Sequence, residues 1–248
     1  MTMVAEEVLS APPPPPQSRS HLLAAIPVSE FQQLKPHLTT VDLRAKDRLA
    51  EPDHPIEAVY FPLNAVLTMA AVDRDGEAVE VGSVGCEGMT GLSVLLGAEQ
   101  STSRVSVQVG GQAERMDAAV LQREVHRNDH FRRLLHLYVQ AFMTQIAQST
   151  ACNRLHAAEK RLARWLLICR DRVGRDEMPI TQETMAVMLA VRRATVTEAA
   201  SALQRQGLIR YRRGVVSIVD RPRLEAATCE CYQIVREEFD RLLGVRVG

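Results

Sequence analysis

The stretch "VRRATVTEAASALQRQGLIRYRRGVVSIVD", Val191 to Asp220, concentrates residue types that can hold a polyanion. Arg192, Arg193, Arg205, Arg212 and Arg213 carry guanidinium forks that match phosphate oxygens and base edges. Thr195, Thr197 and Ser201 are short hydroxyls, and Glu198 can only accept. At about 100° per residue, Val196, Ala199, Ala200 and Leu203 cluster on one side of a helix. Ala194, Thr197, Glu198, Ser201 and Arg205 point the other way, with Arg193 at the start, able to reach sideways. Small polar groups on the outer side suit entry into a DNA major groove, about 12 Å wide. The start of such a helix also offers free N–H groups and partial positive charge to a phosphate. The plainer alternative is a solvated charged surface.

The flanking elements must position these groups. Thr181 can cap a helix through Leu189, with Met185, Met188 and Leu189 turned inward, and Ala190-Val191 make a short turn. The second helix starts near Arg192 and stops before Gly207. "LIRYRRGVVSIVD" then gives two short strands around Arg212-Arg213-Gly214, whose tip would touch the backbone beside the same groove. A helix-turn-helix followed by such a wing is a specific order of elements, and it favours nucleic acid over a solvated face. Upstream, "AAEKRLARWLLICRDRVG" is a helix with Leu162, Trp165, Leu166 and Cys169 on one face and Gly174 as its stop.

Charge divides the chain of 248 residues. Lys+Arg and Asp+Glu balance at 30 each. Ala157 to Arg221 nevertheless holds 13 basic against 7 acidic residues, an excess of about six that the remainder offsets. Two domains with different partners follow. The first half reads as antiparallel β. "EAVYFPLNAVLTMAAVDRDGEAVEVGSVG" has short apolar and β-branched runs with Asp75-Gly76 as a hairpin turn, and Val105, Val107 and Val109 share one strand face. In "VGSVGCEGMTGLSVLLG", Gly82, Gly85, Gly88, Gly91 and Gly97 could form a phosphate cradle or tight turns. Turns are the better reading, because the lysine and hydroxyl of a P-loop are missing.

Asp117 is a plausible cap for a short helix after Met116. From Asn128 to about His156, Phe131, Leu135, Tyr138, Val139, Phe142 and Ile146 make one apolar stripe. Its partner is either the rest of the chain or a second copy in a two-stranded coil. The "CEC" at Cys229–Cys231 suggests a metal or redox pair, but "RPRLEAATCECYQIVREEFDRLL" reads as one helix, where positions two apart point about 200° apart. Two small helix residues are the better reading there. The seven histidines are scattered and suggest no axial haem ligand. Residues 1–20, with prolines from Pro12 to Pro16, read as an extended solvated arm. Neither a signal peptide nor a membrane span is expected. Five cysteines without framework spacing fit a reducing, cytoplasmic setting. No nucleophile elbow, zinc-protease, Walker A or dinucleotide motif points to an enzyme.

Over roughly residues 21–243 this order of elements resembles the Crp/Fnr family of transcription regulators, most specifically in "ITQETMAVMLAVRRATVTEAASALQRQGLI". The resemblance implies an α+β fold: a disordered arm over 1–20, an antiparallel, jelly-roll-like β-roll sensor over 21–127, a long dimerisation helix over 128–156, and a winged helix-turn-helix over 157–248. It implies a homodimer seamed by the stripe from Phe131 to Ile146, with double-stranded DNA and RNA polymerase as partners. Arg193 keeps the type of a family position that contacts base or phosphate. Ala194 and Glu198 replace the family's usual glutamate and arginine, so target sequences of other members do not transfer.

The sensor departs further. Met89 stands where cyclic-nucleotide-binding members have glutamate, with Glu87 two residues away and Gly88 between. Arg104 follows a serine instead of preceding one, which on a strand sends it to the opposite face. Glu87, Gly88, Met89 and Arg104 are therefore candidates for a pocket that takes another effector, or none, and not cyclic AMP. Iron–sulfur members carry N-terminal cysteines, whereas the first cysteine here is Cys86. No cofactor and no metal is expected. The competing reading is a β-roll regulatory module that acts through protein contacts without DNA.

Overall fold

In the computed structural model, which describes residues 18–244, the apolar runs of the first half become antiparallel strands. The expected proline-rich arm lies outside the described residues, apart from Ser18 to Ser20. Two short helices, α1 (His21–Ala24) and α2 (Val28–Leu34), and a 3₁₀ turn at Lys35–His37 lead into the roll. Its elements are β1 (Thr39–Leu43), β2 (Arg48–Ala50), β3 (Ala58–Pro62), β4 (Val66–Val72), β5 (Ala78–Val84), α3 (Leu92–Leu95), β6 (Arg104–Val109) and β7 (Gly111–Asp117). They make two sheets in the orders β1-β7-β3 and β2-β6-β4-β5. On β6, Val105, Val107 and Val109 are buried while Arg104, Ser106 and Gln108 alternate outward, as a period of two requires. The β4–β5 hairpin turns at Asp75-Gly76. Gly76 has φ 85°, and Asp73 Oδ1 accepts from the N–H groups of Asp75 and Glu77.

The clustered glycines both turn the chain and allow close approach: Gly91 and Gly97 have φ of 82° and 89°, and Gly88 N donates to Gly85 O at 3.1 Å across a turn. A Cβ on Gly82 would strike the Phe142 ring, one on Gly85 the stem of Arg172, and one on Gly88 the Tyr138 ring. The expected turns are present, and Gly82, Gly85 and Gly88 in addition lie under side chains that leave no room for a phosphate.

Next come α4 (Ala118–Arg127) and α5 (Asp129–Leu155). Asp117 precedes α4 but does not cap it; its carboxylate pairs with Arg115 at 2.7 Å. Asn128 does cap α5, Oδ1 accepting from Phe131 N at 2.9 Å. The stripe of α5 finds its partner within the chain. Phe131, Leu135, Tyr138 and Phe142 are at most 2% exposed and pack into one core with Val59, Phe61, Leu67 and Met89 of the roll. Tyr138 Oη also donates to Met89 O at 2.9 Å. These four side chains cannot form a seam between copies, which corrects the expected dimer surface. Val139 and Ile146, from the same stripe, are half-buried.

The remainder builds a second core from α6 (Ala158–Val173), β8 (Glu177–Pro179), α7 (Gln182–Met188), α8 (Arg193–Arg205), β9 (Ile209–Arg212), β10 (Val215–Ile218) and α9 (Arg221–Ala226). Leu162, Leu166, Met185, Val196, Leu203 and Val216 are among its fully buried members. The strands pair in the order β8-β10-β9. The helix expected from Arg221 onward is broken at Ala227–Glu230 before α10 (Cys231–Leu243) begins. Thr228 Oγ1 donates to Glu225 O at 2.9 Å, a local bond that competes with helix continuation. The helix geometry assumed for Cys229 and Cys231 therefore does not hold. From this break α10 returns to α5, laying Val235, Phe239 and Leu243 into the first core. No helix of the described residues is long and apolar enough to cross a membrane.

Candidate nucleic-acid interface

Thr181 Oγ1 accepts from Thr184 N at 3.1 Å and so starts α7 where the sequence predicts. The chain then turns at Ala190, which adopts φ 48°, and enters α8 through Arg192. No side chain caps α8, so its first N–H groups stay free. Val196, Ala199, Ala200 and Leu203 are buried on one face, and Arg193, Ala194, Thr197, Glu198 and Arg205 are exposed on the other. Thr195 and Ser201 are half-buried at the edge. Thr197 Oγ1 donates to Arg193 O at 3.0 Å, leaving its acceptor capacity and methyl group for an outside partner.

The wing follows. Arg213 and Gly214 have φ of 51° and 79°, the pattern of a type I′ hairpin turn, and Arg212 opposes Val215 across it. Gln204 Oε1 accepts from Tyr211 N at 2.9 Å, which ties the hairpin to α8. Arg192, Arg193, Arg205, Arg212 and Arg213 are all exposed, and none forms an ion pair among the described residues.

Residues 160–227, which contain this whole arrangement, match the family model of the Crp-like helix-turn-helix domain. The chain carries a Crp-like helix-turn-helix domain. No curated protein matches the chain in sequence. Among solved structures it is similar to FixK2 from Bradyrhizobium japonicum, with a TM-score of 0.66 and 16% identity over 77% of this chain and 98% of that one. A CRP-family transcriptional regulator from Thermus thermophilus gives 0.63 and 16%, over 75% and 95%. The c-di-GMP responsive global regulator CLP of Xanthomonas campestris gives 0.62 and 11%, over 78% and 100%. The fold is that of the Crp/Fnr regulators. Domain and fold together support a DNA-binding transcription regulator.

Outside the Crp-like domain, the expected effector residues do not converge. Glu87 is 2% exposed and accepts from Gly85 N at 3.1 Å. Gly88 lies under Tyr138, and Met89 is fully buried in the first core. Arg104 points to the other side of the sheet, where Nε bonds Glu51 Oε2 at 2.9 Å and the side chain lines a cleft between the roll and α7. The four residues therefore do not share one pocket, which corrects that expectation. The cavity inside the roll is lined by other groups, chiefly Leu49, Ile56, Met69, Leu92 and Val105.

The Crp-like domain meets the roll through a contact that sequence reasoning missed. Arg172 of α6 donates to Ser83 Oγ at 2.6 Å, Ser83 O at 2.9 Å and Gln145 Oε1 at 2.9 Å, and pairs with Glu87 at 2.6 Å. One guanidinium thus joins α6, the roll and α5. Burial alone would lower its pKa; the Glu87 carboxylate outweighs this and holds it above the ordinary guanidinium value. Nearby, burial pushes the Glu80 carboxyl up to about 7 against the pull of Arg172 and Arg164, and its Oε2 has no hydrogen-bond partner. The available signal was position: Arg172 follows Cys169 by three residues and so falls on the apolar stripe of α6.

Proposed function

We propose that the chain is a sequence-specific transcription regulator that acts as a homodimer, each copy setting α8 into one half-site of a palindromic duplex. The observation that carries this is the outer face of α8, with exposed arginines at both ends, short polar groups between them and an uncapped N-terminus. Arg193 would reach a base edge or phosphate from the first turn. Thr195, Thr197, Glu198, Ser201 and Arg205 would face the groove, and Arg192, Arg212 and Arg213 the backbone. Glu198 accepts only, so a cytosine amino group is its natural partner.

The dimer would use the outer side of α5, not its buried stripe. Val139, Met143, Ile146 and Thr150 recur there at heptad spacing, with Met143 59% exposed. The roll would act as the sensor, and the Arg172 contact would transmit its state to the Crp-like domain. Cyclic AMP is not its ligand in this reading, since Met89 and Arg104 are both turned away from a common site; a different small molecule, or none, remains. RNA polymerase is the protein partner such a regulator would engage, and the cytoplasm is where it would meet DNA. The chain is not an enzyme in this reading.

Gel-shift titration of the full chain against duplex DNA over a salt series tests the proposal. Binding whose logarithm falls linearly with the logarithm of salt concentration is expected. Equal affinity for a neutral polymer and DNA, or none for either, would overturn it.

A further inference from the structure

Three of the five cysteines meet in the fold, Cys152 coming from 77 residues before Cys229 and Cys231 from two after it. Cys152 projects from the last turns of α5, Cys229 from the break between α9 and α10, and Cys231 from the first position of α10. All three are at most 4% exposed. His156, the residue that ends α5 four positions after Cys152, closes the group. The ligand atoms of Cys152, His156, Cys229 and Cys231 all lie within 4.8 Å of one another.

Two edges of this group are close to those of a tetrahedral metal centre, and all lie within its reach. Tetrahedral zinc bonds of about 2.3 Å to sulfur and about 2.0 Å to nitrogen put S···S at about 3.8 Å and S···N at about 3.5 Å. Here Cys152 Sγ and Cys229 Sγ are 3.5 Å apart, and Cys231 Sγ and His156 Nδ1 are 3.5 Å apart. The surroundings fit as well. His156 turns Nδ1 to the thiols while Nε2 faces Glu230 Oε1 at 3.3 Å, the carboxylate–histidine pairing that fixes the tautomer of a metal-bound imidazole. Gln148 Nε2 donates to Cys231 Sγ at 3.2 Å. Three thiolates and an imidazole around a divalent ion leave one net negative charge, and Arg161 and Arg164 both act electrostatically on Cys152. An iron–sulfur cluster would need its thiolates spread around several iron atoms, whereas this group is compact enough for one ion.

We propose that Cys152, His156, Cys229 and Cys231 bind a single tetrahedral zinc ion. Binding expels the three thiol protons and involves no change of oxidation state. The ion would staple the α9–α10 turn to the end of α5, at the point where α5 gives way to α6 and the Crp-like domain begins. It would thereby fix α10 on the first core and set the hinge between sensor and DNA-binding domain.

The test uses the full chain. Purified protein stripped with a chelator is titrated with cobalt(II), and protein purified in zinc-containing buffer is analysed for metal. The expected results are one ion per chain, intense thiolate-to-cobalt absorption with tetrahedral visible bands, and a melting temperature that falls on chelation and recovers with zinc. Cys86→Ser with Cys169→Ser should keep all of this, while Cys152→Ser with Cys229→Ser should lose the bands and the chelator sensitivity. Three results would overturn the proposal: folded wild-type chain with no stoichiometric metal and no cobalt bands, a Cys152–Cys229 disulfide in freshly isolated protein, or iron accompanied by acid-labile sulfide.

Discussion

The arginines of α6 and those of α8 with its wing are the same side chain put to opposite uses. On α6, Arg172 is 3% exposed and paired to Glu87, Arg161 donates to Asn153 and to the Leu189 carbonyl, and Arg164 donates to Ser149. On α8 and the wing, Arg192, Arg193, Arg205, Arg212 and Arg213 have no ion-pair partner among the described residues. The first set holds the domain to the rest of the chain, and the second has charge to offer an outside polyanion. Net charge per segment does not distinguish them. The basic excess between Ala157 and Arg221 counts both, so it overstates the surface available to DNA.

The largest expected effect breaks the contrast from the buried side. Arg172→Met leaves Glu87 buried without its cation and should cost about 3–5 kcal/mol of stability, read by denaturant unfolding. Adding Glu87→Gln should recover much of that loss; if the single and double variants unfold alike, the pair is not what Arg172 contributes. On the exposed side, Arg193→Ala should leave unfolding unchanged but weaken duplex binding by about 1–3 kcal/mol, with relaxed preference at one base pair.

Glu80 adds a pH dependence. Its carboxyl is raised in the fold to about 7, so the folded chain holds a proton there that the unfolded chain has lost above its ordinary carboxylate pKa. Its contribution is therefore unfavourable and grows as pH rises from about 4.5 through 7, with none below that window. Glu80→Gln should raise the melting temperature at pH 8 and change it little at pH 4. The smallest effect concerns the wing. Arg213→Asn keeps a residue tolerant of positive φ and removes a charge, so affinity should fall about equally for all sequences, with the salt slope shallower by about one.

Local pattern made much of this architecture legible. The 3.6-residue spacing located α5 and α8, the cap at Thr181 located α7, and Asp75-Gly76 located its hairpin, whereas the cap at Asn128 was not read and the one expected at Asp117 does not form. What stayed hidden was which surfaces meet. The stripe of α5 gives no sign that it packs on glycine-lined strands instead of on a second copy, because period alone does not name a partner. Arg172, Ser83, Gln145 and Glu87 are scattered over about ninety residues, and only tertiary packing brings them together. The spacing of Cys152 and His156 by four was readable, but their convergence with Cys229 depended on a helix break that Thr228 makes locally. The effector candidates failed because one-residue steps on strand and loop decide which side a group faces.

Whether the outer face of α8 reads DNA is decided by selecting a randomised duplex library with the purified full chain. The wild type should enrich a two-fold symmetric site, and one position in each half should lose its preference in Arg193→Ala. Recovery of no common sequence, or of the same sequence with undiminished preference by Arg193→Ala and Glu198→Ala together, would contradict base readout by α8.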